Sequence, residues 1–374
     1  MKQSFAQIVK ESKEELENKF FNKVPSWNIT RNKIIIPGSL CVEQCSSEET
    51  ALYKGKLALR ISPADKSVAD LTGGMGIDSW AFARTGRKVR YNEMNVDLAT
   101  AAKANFMVLG LDNIFVTSEK IGPENIANIL SNKEEYGLIY IDPARRNREG
   151  KKVFLIEDCQ PDVLSLKDKI FEKTENILLK LSPMADLTMI ARRLGPEVRE
   201  IHVVESGKEC KEVLVWLSKG WTEEYRIFVY ANNSTFSFTR TEENEAKVSL
   251  PLYEEDMRGL MLYEPGPAMM KAAPFKLLCQ RDNLVQLGVS THLYLSREKG
   301  KEIINVMPFN GKSIKLLGKQ YPNCEVTAKN IMMTSSELRK KLGSLGGAHT
   351  HIYGVKCDFA NHESVKLLLI TKQA

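Results

Sequence analysis

The chain has 374 residues, 43% hydrophobic and 27% charged, enough apolar surface for packed cores and too much for wholesale disorder. A net charge of +6 permits a nucleic-acid partner without demanding one. No run of eighteen apolar residues occurs and Met1–Phe5 leads into charged residues, so neither a transmembrane helix nor a signal core is expected and the protein is predicted to be cytoplasmic.

This length predicts two or three domains. Residues 1–60 read as a helical segment, with Phe5, Ile8, Leu16 and Phe20 at roughly helical spacing and Pro25 as the stop. Ser46-Ser47-Glu48-Glu49 fits a capping box with Ser46 as the cap. The seven cysteines are scattered. The pair Cys41 and Cys45 has no third Cys or His beside it, so no metal site or iron–sulfur cluster is predicted.

From Val68 the pattern alternates strand and helix, predicting a parallel sheet covered on both faces. Val68-Ala69-Asp70 reaches a carboxylate, turns through Gly73, Gly74 and Gly76, and enters an apolar helix after Asp78. Such a turn brings backbone N–H groups and a helix N-terminus to a ligand. The spacing Asp-x-x-Gly-Gly-x-Gly differs from the dinucleotide fingerprint Gly-x-Gly-x-x-Gly. The strand Lys88–Asn92 is followed by Glu93, about twenty residues past the glycines, where an acid can accept hydrogen bonds from ribose hydroxyls. The third strand, Ile114–Thr117, is followed by Ser118 and Glu119, either of which is a candidate ligand contact at that strand end. The fourth, Leu138–Ile141, is apolar throughout and ends in Asp142-Pro143-Ala144-Arg145. Ligands of open α/β sheets bind at the carboxyl ends of strands, so Asp70, Glu93 and Asp142 are expected around one crevice. The fifth strand, Asn176–Leu181, leads into Ser182-Pro183-Met184. Two consecutive strands around Ser206-Gly207-Lys208 then close the sheet.

Past Trp221 the texture changes. A hairpin is predicted around Asn232-Asn233, and Glu242 to Glu255 reads as a loop or linker. Residues 300–374 alternate short strands with short helices. Thr334-Ser335-Ser336-Glu337 caps one helix, and Lys312, Lys315, Lys319, Lys329, Arg339, Lys340 and Lys341 make the region basic. Those cations fit a solvated helix face or a phosphate-contacting patch. The predicted division is 1–60, 61–220, 221–300 and 301–374.

The chain resembles the class I S-adenosylmethionine (SAM)-dependent methyltransferases that carry a C-terminal THUMP-like domain. The residues behind this are Glu43–Glu48, Asp70–Asp78, Asp142–Arg146, Lys180–Met184, Tyr263-Glu264-Pro265 and Ser336–Leu342. The resemblance implies an α/β fold. Its parts are a Rossmann-like seven-stranded sheet, an N-terminal helical segment and a C-terminal α+β, ferredoxin-like region. It implies SAM as cofactor, held by Asp70, Thr72, Gly73, Gly74, Gly76, Asp78, Glu93, Met94 and Ser118, with Gln44, Ser46 and Ser47 over its methionine end. Asp142-Pro143 begins like the Asp-Pro-Pro-Tyr motif of enzymes that methylate exocyclic amines of bases. Ala144 and Arg145 depart from that motif and move the expectation from adenine N6 towards guanine N2. Asp142, Pro143 and Arg145 are then the transfer residues and RNA the expected partner, bound through the basic C-terminal region. A small-molecule or protein methyltransferase, and a non-catalytic RNA-binding factor with this fold, are the competing readings.

Overall fold

The computed structural model describes residues 5–130, 134–145, 156–253, 257–347, 349–361 and 363–372, the side chains of 5–11, 145 and 158 excepted. Arg146, the last residue of the Asp142–Arg146 stretch, lies outside the described residues. The chain divides into two units, Met1–Ser237 and Phe238–Ala374.

In the first unit, α1 (Phe5–Lys23) stops just before Pro25, whose missing N–H and fixed φ suit the 3-10 turn that follows. Phe20, Trp27 and Trp80 pack edge to face, with centroids 5.8 and 6.1 Å apart, and fasten this segment to the first unit's core. Two helices follow, α2 (Ser39–Gln44) and α3 (Glu48–Ile61). The cap of α3 is Ser47, which accepts from Thr50 N–H, and not Ser46. Ser46 is one residue too early, and its hydroxyl turns inward instead.

The alternation then runs β1 (Ser67–Asp70), α4 (Ile77–Ala83), β2 (Val89–Asn92), α5 (Val96–Val108), β3 (Ile114–Thr117), α6 (Ile126–Ile129) and β4 (Tyr136–Ile141). A two-stranded ribbon, β5 (Ala144–Arg145) with β6 (Cys159–Gln160), precedes α7 (Val163–Phe171), β7 (Asn176–Leu181) and α8 (Leu187–Leu194). The hairpin β8 (Val198–Ser206) and β9 (Glu209–Ser218) is followed by β10 (Arg226–Ala231) and β11 (Ser234–Thr239). The sheet order is β11-β10-β8-β9-β7-β4-β1-β2-β3. Strands β1, β2, β3, β4 and β7 are parallel, and β9 inserts antiparallel between β7 and β8. This is the expected seven-stranded sheet. The hairpin past Trp221 lengthens it, because β10 pairs in parallel with β8. Asn232 and Asn233 both take positive φ, the geometry of a tight hairpin turn. Val68, Leu138, Tyr140, Leu178 and Leu214, all 4% exposed or less, build the core between the sheet and α3.

The second unit opens with α9 (Arg240–Glu245), where a linker was expected. Thr239 and Glu242 form a reciprocal capping box, and this local pairing outweighs the polar composition. Next come β12 (Met261–Tyr263), α10 (Pro267–Ala272), α11 (Phe275–Arg281), β13 (Val285–Gln286) and β14 (Tyr294–Ser296). The chain ends with β15 (Lys301–Pro308), α12 (Gly311–Gln320), β16 (Glu325–Lys329), α13 (Ser335–Leu342), β17 (Thr350–Asp358) and β18 (Ser364–Lys372). These strands form one sheet, β13-β14-β12-β15-β18-β17-β16, with its own buried core. Helices α12 and α13 meet where Gly318 touches the Leu342 backbone, a spot with no room for a Cβ.

Candidate active site

The carboxyl ends of β1, β2, β4 and β7 open onto one cavity of about 990 Å³. One wall is the turn Leu71–Met75, which α4 and α5 hold in place. Gly74 and Gly76 have φ of +54° and +82°, backbone that favours glycine. Gly73 is needed for a different reason: any side chain there would run into the ring of Tyr91. A neighbouring aromatic, rather than a ligand, thus enforces the small residue.

Glu93 ties this turn to β2. Its Oε2 accepts from Gly74 N–H (3.0 Å) and its Oε1 from Asn95 N–H (2.9 Å). Asn95, not Glu93, caps α5 by accepting from Leu98 N–H. Glu93 and Met94 line the cavity, joined by Leu40, Leu98 and Ile121 as apolar neighbours. Ser118 does not line it; its hydroxyl donates to the Glu93 carbonyl at 2.8 Å, and Glu119 stands on the wall instead.

Asp70 lies beneath the turn, fully buried, accepting from Thr72 N–H (3.1 Å) and the Ser79 hydroxyl (2.6 Å). It braces the loop and does not reach the cavity. Burial pushes its pKa up to about 7, against the hydrogen bond from Ser79. Thr72 lines the cavity and its Oγ1 accepts from Asp142 N–H at 2.6 Å, locking the ends of β1 and β4 together. Gly76 and Ser47 do not line the cavity, whereas Gln44, Ser46 and Asp78 do.

Below the floor runs a network of charges that the sequence did not announce. Lys54, fully buried on α3, donates to both oxygens of Glu212 at 2.8 Å and lies 3.1 Å from Asp78 Oδ1. Asp78 Oδ2 accepts from Ser46 (2.9 Å) and from Tyr140 (2.8 Å). Lys180, near the end of β7, donates to Asp142 Oδ2 at 2.6 Å and to Ser46 Oγ at 3.3 Å. Burial favours neutral Lys180, but Asp142, Asp78 and Glu212 outweigh it and hold the side chain protonated. Burial likewise opposes charge on Asp78, yet the two lysines keep its pKa below the ordinary carboxylate value. Glu212, by contrast, is pushed up by burial. Two ammonium groups thus face three carboxylates, one negative charge in excess when all are ionised. Asp78, Ser46 and Asp142 were legible as site residues and Lys180 as a lone cation in the apolar strand Asn176–Leu181, whereas Lys54 and Glu212 were not.

At the far end, Asp142 and Pro143 line the cavity with Ala144, Gln160, Pro161 and Pro183. Among the described residues, Asp142 Oδ2 is held by Lys180 and Oδ1 has no protein donor. Arg145 belongs to β5 by its backbone, and its side chain lies outside what is described. The described residues hold no group of three or more His, Cys, Asp or Glu suited to a metal, and no helix among them is long and apolar enough to cross a membrane.

A family model described as a ferredoxin-like domain matches residues 261–303, within the second unit. A crystal structure described as a "putative methyltransferase" from Porphyromonas gingivalis W83 superposes with a TM-score of 0.79 at 29% identity, covering 96% of this chain and 88% of that one. The two share one fold. An rRNA methylase from Streptococcus thermophilus covers 45% of this chain and 94% of its own, at 15% identity and a TM-score of 0.33. A 16S rRNA N2 methyltransferase of T. thermophilus, solved with AdoMet and guanosine, covers 46% of this chain and 42% of its own, at 15% identity and a TM-score of 0.33. No curated protein matches the chain.

Proposed function

We propose that the chain is a SAM-dependent methyltransferase that modifies an exocyclic amino group of an RNA base, guanine N2 being the preferred acceptor. The observation that carries this reading is one cavity with a glycine turn and Glu93 at one end and Asp142, one carboxylate oxygen unengaged, at the other. The full-length likeness to a protein described as a methyltransferase supports it.

The residues present fit the cofactor. Glu93 keeps acceptor capacity for ribose hydroxyls after its two backbone bonds. Met94, Leu40 and Ile121 offer apolar contact to a flat ring. The surplus carboxylate suits a cationic sulfonium. When bound, SAM supplies an electrophilic methyl group. Asp142 Oδ1 accepts an N–H of the acceptor amine, which turns the nitrogen lone pair out of the ring plane and aims it along the transfer line. Bound at the turn and Glu93, SAM would supply the methyl for that nitrogen, whose proton would pass to solvent water. Lys180 fixes the Asp142 carboxylate in place, and Thr72 fixes its backbone, so little reorganisation is needed. A base within a duplex or stack must first be flipped out to reach Asp142.

The exposed cations of α12 (Lys312, Lys315, Lys319) and α13 (Arg339, Lys340, Lys341) support RNA as the partner. Titration calorimetry with SAM tests the first step. A Kd in the micromolar range, weakened at least tenfold by Glu93→Ala, is expected; no heat of binding would remove the reading.

A further inference from the structure

At the transfer end, three strand ends each deliver a polar residue followed by proline. These are Asp142-Pro143 after β4, Gln160-Pro161 at the end of β6, and Ser182-Pro183 after β7, and all six residues line the cavity. Proline carries no N–H and a rigid ring, so each of these three positions offers a flat apolar surface and no backbone donor. Among its polar side chains, Gln160 stands apart. In the β5–β6 ribbon it lies opposite Ala144 while its neighbour Cys159 is fully buried, so alternation turns Gln160 to the cavity. Asp142 is held by Lys180, and Ser182 accepts from Met184 N–H at 3.2 Å. The half-buried Gln160 amide makes no hydrogen bond to any described residue.

An uncharged amide offering donors and an acceptor beside an aimed carboxylate, within a proline-walled slot, suits the edge of a planar heterocycle. It does not suit a phosphate, a carboxylate or a flexible amine chain. We propose that Gln160 is a specificity-determining residue that reads the acceptor base, its amide N–H donating to the lactam oxygen of guanine while Asp142 takes the 2-amino group. This rests on the methyltransferase reading above and adds the residue that selects the base. Nothing in the Asp-Pro motif itself specifies that choice.

The test uses the full chain saturated with S-adenosylhomocysteine and three probes: guanosine, 2-aminopurine riboside and adenosine. 2-Aminopurine keeps the 2-amino group and lacks the lactam oxygen. The wild type should bind guanosine roughly tenfold tighter than 2-aminopurine riboside. Gln160→Ala should lose that margin by weakening guanosine alone. Gln160→Glu, which keeps the shape but replaces the donor by an acceptor, should lose it too. Unchanged SAM affinity in both variants shows that the cavity has kept its form. If wild type and both variants bind guanosine equally, or if adenosine binds tighter than guanosine, the role given to Gln160 is overturned while the methyltransferase reading stands. Wild type that binds SAM but none of the three nucleosides overturns the base slot. Wild type that binds no SAM overturns both.

Discussion

Asp142 is where the account meets its chemistry. Its carboxylate is gripped on one oxygen by Lys180 and open on the other, so removing it should cost turnover, while Lys180 keeps its bond to Ser46 and the charge of Asp78. Asp142→Ala is expected to lower kcat by roughly a hundredfold or more, with SAM affinity within about twofold of wild type, measured by label transfer and calorimetry. Lys54 plays a different part. It is buried among Glu212, Asp78 and Ser46, and replacing one partner of such a cluster strands the others. Lys54→Met should destabilise the protein by about 3–5 kcal/mol in urea unfolding. An Lys54→Met variant as stable as wild type would show the network to be dispensable. The strand-end acids were legible because a parallel sheet presents its carboxyl ends to one crevice. The Lys54–Glu212 pair was not, because 158 positions separate its members and a lysine on a helix reads as a solvated one. Asp70 read as a ligand because it ends a strand, whereas the Thr72 amide and the Ser79 hydroxyl claim both its oxygens.

Among the elements, the turn between β1 and α4 carries the most constraint. Gly76 combines a φ of +82° with the ring of Phe106 where a Cβ would stand. Gly76→Ala should therefore cost about 1–3 kcal/mol of stability and weaken SAM binding, read by thermal unfolding with and without SAM. An alanine variant with the wild-type SAM-induced shift in Tm would show the turn to be tolerant. The turn was visible from its glycines, but the reason for Gly73 was not, since Tyr91 approaches it from a strand eighteen residues on. In the second unit, Thr334 and Glu337 make the capping box their spacing predicts, and Gly343 closes α13 in a left-handed conformation. Helix α9 went unseen because six residues held by one box leave no apolar periodicity to read. The charges of α12 and α13 carry a test of their own. Lys315→Glu with Lys340→Glu should weaken binding to RNA and flatten its dependence on salt, measured by filter binding at several salt concentrations. An unchanged slope would move RNA contact away from these helices.

Over the whole molecule, stability should depend on pH through two buried acids with opposite signs. Asp70 titrates near 7 when folded, above its ordinary 3.8. The folded state therefore holds the extra proton between these values, and this contribution is lost as pH rises from about 4 to 7. Glu200 behaves conversely. Burial alone would raise its pKa, but hydrogen bonds from Arg60 and His202 outweigh burial and bring it down to about 2. Its contribution is present above 4.5 and lost as pH falls towards 2. Urea midpoints should thus fall on both sides of a maximum near pH 4 to 5 from these groups. Asp70→Asn should flatten the upper limb and Glu200→Gln the lower, and limbs unchanged by either variant would dissociate these acids from the pH response. At this scale the alternation of strands and helices was enough to expect a parallel sheet covered on both faces, the resemblance added the class I methyltransferase arrangement, and the superposition over 96% of the chain agrees with that fold. The two added strands β10 and β11 were foreseen as a hairpin but not as part of that sheet, because sequence shows pairing within a hairpin and not the edge it joins. The most direct measurement is transfer of label from methyl-labelled SAM to RNA of a strain lacking this gene, followed by nucleoside analysis. Label is expected in N2-methylguanosine with the wild-type protein, appearing roughly a hundredfold or more slowly with Asp142→Ala; an unchanged rate in the variant, or RNA left unlabelled by the wild type, would contradict this.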